Sequence, residues 1–209
     1  ETLKGNSLCR ILQSWECNKY KLSGKSIEFG GNFKSSKNFS NILIKNHYDQ
    51  LLFADKKKNY KTIYFDLEKK NKYVGSFKNI IIFNVLEHVF DIQNAILQIK
   101  KIMKKKGLLI GSTPFIYRIH YAPSDYNRYT EQFLNEILRK NFKSYKLEVL
   151  GFGPFTACYS LIFDFIKYIP ILTNFLLLFT ILIDSIINIF MKQDLKKLYP
   201  IAYFFFAKK

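Results

Sequence analysis

Arginine is scarce. Among 209 residues, only Arg10, Arg118, Arg128 and Arg139 carry a guanidinium, yet the net charge is +17. Lysine supplies nearly all of it, scattered among Asn and Ile. Readers of nucleic acid lean on clustered arginine forks, so nucleic acid is not the expected partner. The charge fits a Lys/Asn/Ile compositional bias, or attraction to an anionic membrane surface or a phosphorylated ligand. Cysteine is also scarce. Cys9, Cys17 and Cys158 are odd in number and lack metal-ligand spacing. No disulfide framework and no metal are expected, and the thiols suit a reduced, cytoplasmic chain. No signal-peptide pattern is visible at the N-terminus. A clean membrane span is missing too. The charge-free run Tyr168 to Ile183 has 16 residues and is interrupted by Pro170, whereas a span needs about 20. What is abundant is apolar: 48% hydrophobic and 17% aromatic residues exclude a disordered chain.

The stretch Asn79 to Phe115 organises the rest. Asn79-Ile80-Ile81-Ile82-Phe83 is short and β-branched, the mark of a strand buried on both faces. Asn84-Val85-Leu86-Glu87-His88 then sets polar groups past its C-terminal end. From Asp91, apolar residues recur at helical spacing through Met103, and Gly107 is the expected helix stop. Leu108 to Thr113 reads as a second buried strand, closed by Pro114. The result is a βαβ unit with parallel strands and a right-handed crossover. Ligands gather at the carboxyl ends of such strands.

Glu1 to Lys25 reads as a cover helix with Leu8, Ile11, Leu12 and Trp15 on one face. Ser26 to Phe29 reads as a strand running into the turn Gly30-Gly31, where the backbone can approach a ligand closely. Asn38 to His47 reads as a helix and Asp49 to Asp55 as a strand. Thr62 to Leu67 is a third strand, ending at Asp66. Glu28, Asp55 and Asp66 thus end three successive strands. Thr130 is an expected N-cap. It precedes a helix, Glu131 to Lys140, with Phe133, Leu134, Ile137 and Leu138 on one face. Tyr145 to Gly151 and Tyr199 to Ala207 complete the strands.

This pattern resembles the class I S-adenosylmethionine-dependent methyltransferases, and within them the small enzymes of bacterial surface-polysaccharide and lipopolysaccharide gene clusters. The resemblance rests on Glu28-Phe29-Gly30-Gly31, Asp55, Asp66-Leu67-Glu68, Asn84-Val85-Leu86-Glu87-His88, Thr113-Pro114-Phe115 and His120 through Thr130. It covers about residues 20 to 155 and resumes at the final strand. Asn32 and Lys34 depart from the family's usual loop glycines, and Lys78 replaces a frequent acidic residue. The resemblance implies an α/β fold: a Rossmann-like three-layer sandwich with a mainly parallel seven-stranded sheet and an antiparallel last strand. It implies S-adenosyl-L-methionine as cofactor. Glu28, through the turn with Gly30 and Gly31, would hold the methionine amino group. Asp55 would hold the ribose, Asp66 and Leu67 the adenine, and Asn84 the methionine moiety.

Methyl transfer from a sulfonium asks mainly for positioning and desolvation. A hydroxyl acceptor also profits from a base. His120 and His88 are the candidate bases, with Asp125 to orient one of them or to bind a sugar. Tyr126 and Tyr129 could stack on a sugar face, and Arg128 could grip an acidic group. The expected acceptor is an oxygen of a sugar or lipid-linked glycan. A non-catalytic, membrane-associated protein retaining the fold is the second reading.

The expected layout is a cover helix (1–25), a core (26–153), an apolar helical insertion (154–198) and a final core strand (199–209). The insertion is expected to be a helix pair broken near Pro170. It either dips into the inner leaflet of the plasma membrane, with Lys192, Lys196 and Lys197 at anionic headgroups, or forms a homodimer interface or substrate lid.

Overall fold

The computed structural model describes residues 6–31, 51–55, 62–121 and 124–209. The expected helix Asn38 to His47, and Asn32 and Lys34, lie outside the described residues. Seven strands are seen: β1 (Ser26–Phe29), β2 (Leu51–Asp55), β3 (Ile63–Tyr64), β4 (Phe77–Phe83), β5 (Met103–Pro114), β6 (Ser144–Leu150) and β7 (Ala202–Lys208). They form one sheet in the order β3-β2-β1-β4-β5-β7-β6. Only β7 runs antiparallel to its neighbours. The order reverses between β1 and β4, so the C-terminal ends of β1 and β4 open a crevice there.

Both faces are covered, which is why β4 is apolar throughout. Ile80 and Ile82 pack on one side with α2 (Ile92–Ile102) and α3 (Glu131–Asn141). Ile81 packs on the other side with α1 (Leu8–Cys17) and α4 (Pro154–Ile166). Alternate residues of one strand thus serve two cores.

Several expectations shift. The first helix is only Leu8–Cys17, capped by Ser7, and Trp15 faces solvent while Leu8, Ile11 and Leu12 are buried. Gly107 does not stop α2. The helix ends at Ile102, and Met103 already pairs with Phe77. The positive φ falls on Lys106, at 58°. Lys78 Nζ donates to the Lys106 carbonyl at 3.0 Å, holding this turn at the sheet edge away from the crevice. The third strand shrinks to Ile63–Tyr64, which leaves Asp66 and Leu67 in the loop beyond it. On α3, Thr130 caps the helix as expected, but Phe133 is partly exposed and stacks on Tyr129 instead of entering the core.

The apolar insertion is a helical hairpin, α4 followed by α5 (Pro170–Phe190), then a single turn, α6 (Leu195–Leu198). Pro170 opens α5 at a position where a missing N–H costs nothing. Two buried polar residues tie the hairpin. Asp184 accepts from the amides of Phe155 (3.0 Å) and Thr156 (2.9 Å) at the start of α4. A carboxylate there faces the positive end of the helix. Thr173 Oγ1 donates to the Ile166 carbonyl at 2.6 Å, at the far end of α4.

Candidate functional site

A cavity of about 520 Å³ opens at the crevice. One wall comes from β1, β2 and the loop after β3. Glu28, Gly30, Gly31, Asp55, Asp66, Leu67 and Asn84 all line it. The three carboxylates that end successive strands therefore share one cleft, and packed side chains do not fill it.

Gly30 at this wall is demanded by geometry, and Gly31 leaves the room that the Glu28 side chain takes. Gly30 has φ +70°, and a Cβ there would sit 2.6 Å from Val85 Cγ2. A Cβ on Gly31 would come within 2.6 Å of the Glu28 carboxyl carbon. Glu28 is folded over its own turn and buried, and its Oε2 has no hydrogen-bond partner. Burial pushes its pKa up to about 7. Asp66 Oδ1 accepts from the Glu68 amide at 3.0 Å, which shapes the loop after β3.

Asn84 ends β4 with φ +53°, a conformation that Asn tolerates better than most side chains. Its Oδ1 accepts from Gln13 Nε2 at 2.8 Å and from Ser112 Oγ at 3.1 Å. Gln13 also reaches Ser112 Oγ at 2.7 Å. Gln13 is fully buried and ties α1 to the C-terminal ends of β4 and β5. Sequence reasoning missed it. The available signal was a single uncharged polar residue beside Leu12 on an otherwise apolar helix face.

The opposite wall is the 3-10 turn Leu86–His88 and the segment after β5. Glu87, His88, Tyr117, His120 and Tyr126 face the cavity. The Glu87 carbonyl accepts from the Tyr126 amide at 2.8 Å and the Asn127 amide at 3.2 Å, which docks that segment on the turn. Asp125 and Arg128 form a two-pronged pair, Nη1 to Oδ1 at 2.5 Å and Nη2 to Oδ2 at 2.7 Å. The guanidinium holds the Asp125 carboxyl well below the usual carboxylate range. Asp125 Oδ2 also accepts the His120 amide at 2.9 Å and lies 3.3 Å from His120 Nδ1. Burial, then the neighbouring His88, lowers the pKa of His120 and keeps its imidazole neutral near pH 7.

Two expected substrate contacts, Arg128 and Tyr129, are corrected by this geometry. Neither Arg128 nor Asp125 lines the cavity: Arg128 holds Asp125, and of the two roles expected for Asp125 the geometry gives it the one beside His120, not a sugar contact. Tyr129 is buried beneath the turn, its hydroxyl donating to the Leu86 carbonyl at 3.1 Å. Only Tyr126 of that group lies at the rim, half exposed against the edge of Phe90.

No family model matches the chain, and no curated protein matches it in sequence. Solved structures do match in shape. A SAM-dependent methyltransferase from Archaeoglobus fulgidus superposes with a TM-score of 0.61 at 13% identity, covering 97% of this chain and 93% of that one. The [4+2]-cyclase SpnF gives 0.58 at 10% identity, over 96% and 80%. Phosphoethanolamine N-methyltransferase 2 of Haemonchus contortus, in complex with S-adenosyl-L-methionine, gives 0.55 at 13%, over 96% of this chain and 52% of that one. The fold is thus the Rossmann-like class I methyltransferase fold, with its seven-stranded sheet and antiparallel β7. The cyclase among the matches shows that such a fold alone does not fix the reaction.

Proposed function

We propose that this cavity binds S-adenosyl-L-methionine, and that the chain transfers a methyl group to an oxygen of a sugar or lipid-linked glycan at the cytoplasmic face of the membrane. The observation that carries the reading is the convergence of Glu28, Asp55 and Asp66 on one open cleft beside a turn that only glycine fits. The residues suit the cofactor. Glu28 is a buried carboxyl with an unmatched oxygen, which an ammonium group would satisfy. The bare Gly30 backbone leaves room that a side chain would fill. Asp55 would take the ribose hydroxyl pair, Asp66 and the Leu67 amide the adenine, and Asn84 the methionine chain.

When bound, the cofactor supplies a methyl group on a cationic sulfur, open to in-line displacement. The protein's own work is to position and to exclude water. His120 and His88 present imidazoles on the acceptor side, where a neutral ring can take a hydroxyl proton. Asp125 positions His120 through its amide. Tyr126 offers an aromatic face to a sugar ring.

The membrane part rests on α5. Among the described residues, it is the one helix long and apolar enough to cross a bilayer, and almost none of its most apolar stretch is buried in the protein. Phe175, Leu178, Phe179, Leu182, Ile186, Ile189 and Phe190 are exposed, too much apolar surface to sit bare in water. The hairpin leaves β6 and returns to β7 of the same sheet, so insertion into one leaflet fits better than a crossing. Lys192, Lys196 and Lys197 then meet anionic headgroups.

Titration calorimetry with S-adenosylmethionine tests the first part. Heat with the wild type that is lost in Asp55→Ala supports it; no heat overturns it and leaves the non-catalytic reading. Flotation with anionic liposomes tests the second part. A chain that stays in the dense fraction as a soluble dimer would assign the hairpin to self-association.

A further inference from the structure

Glu87 is the anomaly of the cavity. It is fully buried, and neither carboxylate oxygen has a hydrogen-bond partner. A buried carboxylate without donors is costly, and native structures seldom keep one without cause. Two imidazoles point at it. Glu87 Oε1 lies 3.9 Å from His88 Nε2 and 4.0 Å from His120 Nε2. One ligand atom from each of the three residues falls within 4.8 Å of the others.

The outer nitrogens decide what those imidazoles can offer. His88 Nδ1 is hydrogen-bonded to the Ser124 carbonyl. A carbonyl can only accept, so Nδ1 carries the proton and the neutral ring leaves a lone pair on Nε2. His120 Nδ1 lies 3.3 Å from the Asp125 carboxylate without an aligned hydrogen bond; a small ring rotation would turn an N–H onto that carboxylate and leave the lone pair on Nε2. The two Nε2 atoms and the Glu87 carboxyl therefore converge on one point of the cavity. A metal-binding histidine is held in this way, its outer N–H turned to a carbonyl or a carboxylate.

We infer that Glu87, His88 and His120 form a binding site for one divalent transition-metal ion. Two histidines and one carboxylate suit zinc, or a six-coordinate ion such as manganese or cobalt, and leave positions open for outside ligands. Ligand atoms around such an ion sit about 3.4 Å apart, so small ring rotations would close the present spacings. All three residues line the cavity beside Asn84, so the open positions face the acceptor side. An oxygen ligand there, a sugar hydroxyl or a phosphate oxygen, would be polarised by the ion. The inference deepens the function proposed above and rests on it for the acceptor alone. With an ion in place, the two imidazoles hold metal instead of taking a proton.

The test uses the full chain without a histidine tag, stripped with a chelator and desalted. Cobalt(II) alone is titrated in, followed by zinc. The expected result is a visible ligand-field spectrum that saturates at one equivalent and is displaced by zinc. Glu87→Gln and His120→Asn should each abolish it, and Asp125→Asn should weaken binding by about tenfold through the outer contact. Should Glu87→Gln not fold, His120→Asn carries the test, because that side chain lies at the cavity's edge. Absence of the spectrum, or unchanged affinity in His120→Asn, overturns the site. S-adenosylhomocysteine is titrated separately into the metal-free protein. Its heat without any cobalt signal sinks the metal inference alone; a cobalt signal without that heat sinks the cofactor reading alone.

Discussion

Carboxylates in the cavity walls differ from the one that lies behind them. Behind the acceptor wall, Asp125 is fully spoken for: Arg128 takes both oxygens, and the His120 amide takes a further bond. In the walls themselves, Glu28 is buried with one oxygen unmatched and Glu87 with both. The outcome shows in the proton affinities, with Asp125 held below its usual range by Arg128 and Glu28 pushed up to about 7 by burial. A paired charge builds the loop; an unmatched one awaits a ligand. The contrast separates scaffold from site better than residue type does, because aspartate, arginine and tyrosine near a cleft all look functional in a sequence.

The comparison can be broken from either side. The largest effect is expected on the strand-end wall. Asp55→Ala should weaken S-adenosylmethionine binding on the order of 100-fold, since hydrogen bonds to a charged group contribute about 1.5–3 kcal/mol. Calorimetry reads this. Arg128→Ala should do the reverse. It leaves Asp125 without its partner and should cost about 2 kcal/mol of stability, seen in urea unfolding. Cofactor affinity at a temperature where the variant is folded should be unchanged. If Arg128→Ala instead weakened cofactor binding with normal stability, the division between wall and scaffold would fail.

A third effect sharpens the contrast through pH. The Glu28 carboxyl, with its folded value raised to about 7, is mostly protonated at pH 6 and mostly ionised at pH 8. A cationic ammonium binds the ionised form. Affinity for S-adenosylmethionine should therefore rise about fivefold from pH 6 to pH 7, below the range where the ligand's own amine loses its proton. Glu28→Gln should bind weakly and flatten the profile. A wild-type profile that falls with pH over this range would rule out the contact.

Much of this was legible in the sequence, for local reasons. The β-branched run at Ile80–Ile82, the glycine turn and the acidic strand ends are written in adjacent residues, and their spacing fixed the sheet and one wall. The break at Pro170 was equally local. What escaped depends on distant partners. Gln13 acquires its role from Asn84 and Ser112, 71 and 99 residues away. Asp184 looked like the end of an apolar run until α4 placed its N-terminus against it. Gly107 carried a helix-stop signal, but pairing of Met103 with β4 ended the helix earlier. Arg128 and Tyr129 were misassigned for a similar reason. Their partners Asp125, Leu86 and Phe133 satisfy them internally, and a motif read by residue type does not reveal that satisfaction.

Tyr129 gives the smallest and cleanest test. Its ring stacks on Phe133 at 5.1 Å between centroids, and its hydroxyl donates at 3.1 Å to the Leu86 carbonyl, which also accepts the Val89 amide. Tyr129→Phe keeps the ring and removes only that bond. The cost should be about 1 kcal/mol of stability, the usual net value of a buried neutral hydrogen bond. Binding of cofactor should stay within error, because the hydroxyl points under the turn and away from the cleft. A hydroxyl that bonded the substrate would behave oppositely, with stability untouched and only the acceptor's KM raised. Equal thermal midpoints for Tyr129→Phe and wild type would return Tyr129 to the cavity and weaken the claim that satisfied side chains belong to the scaffold.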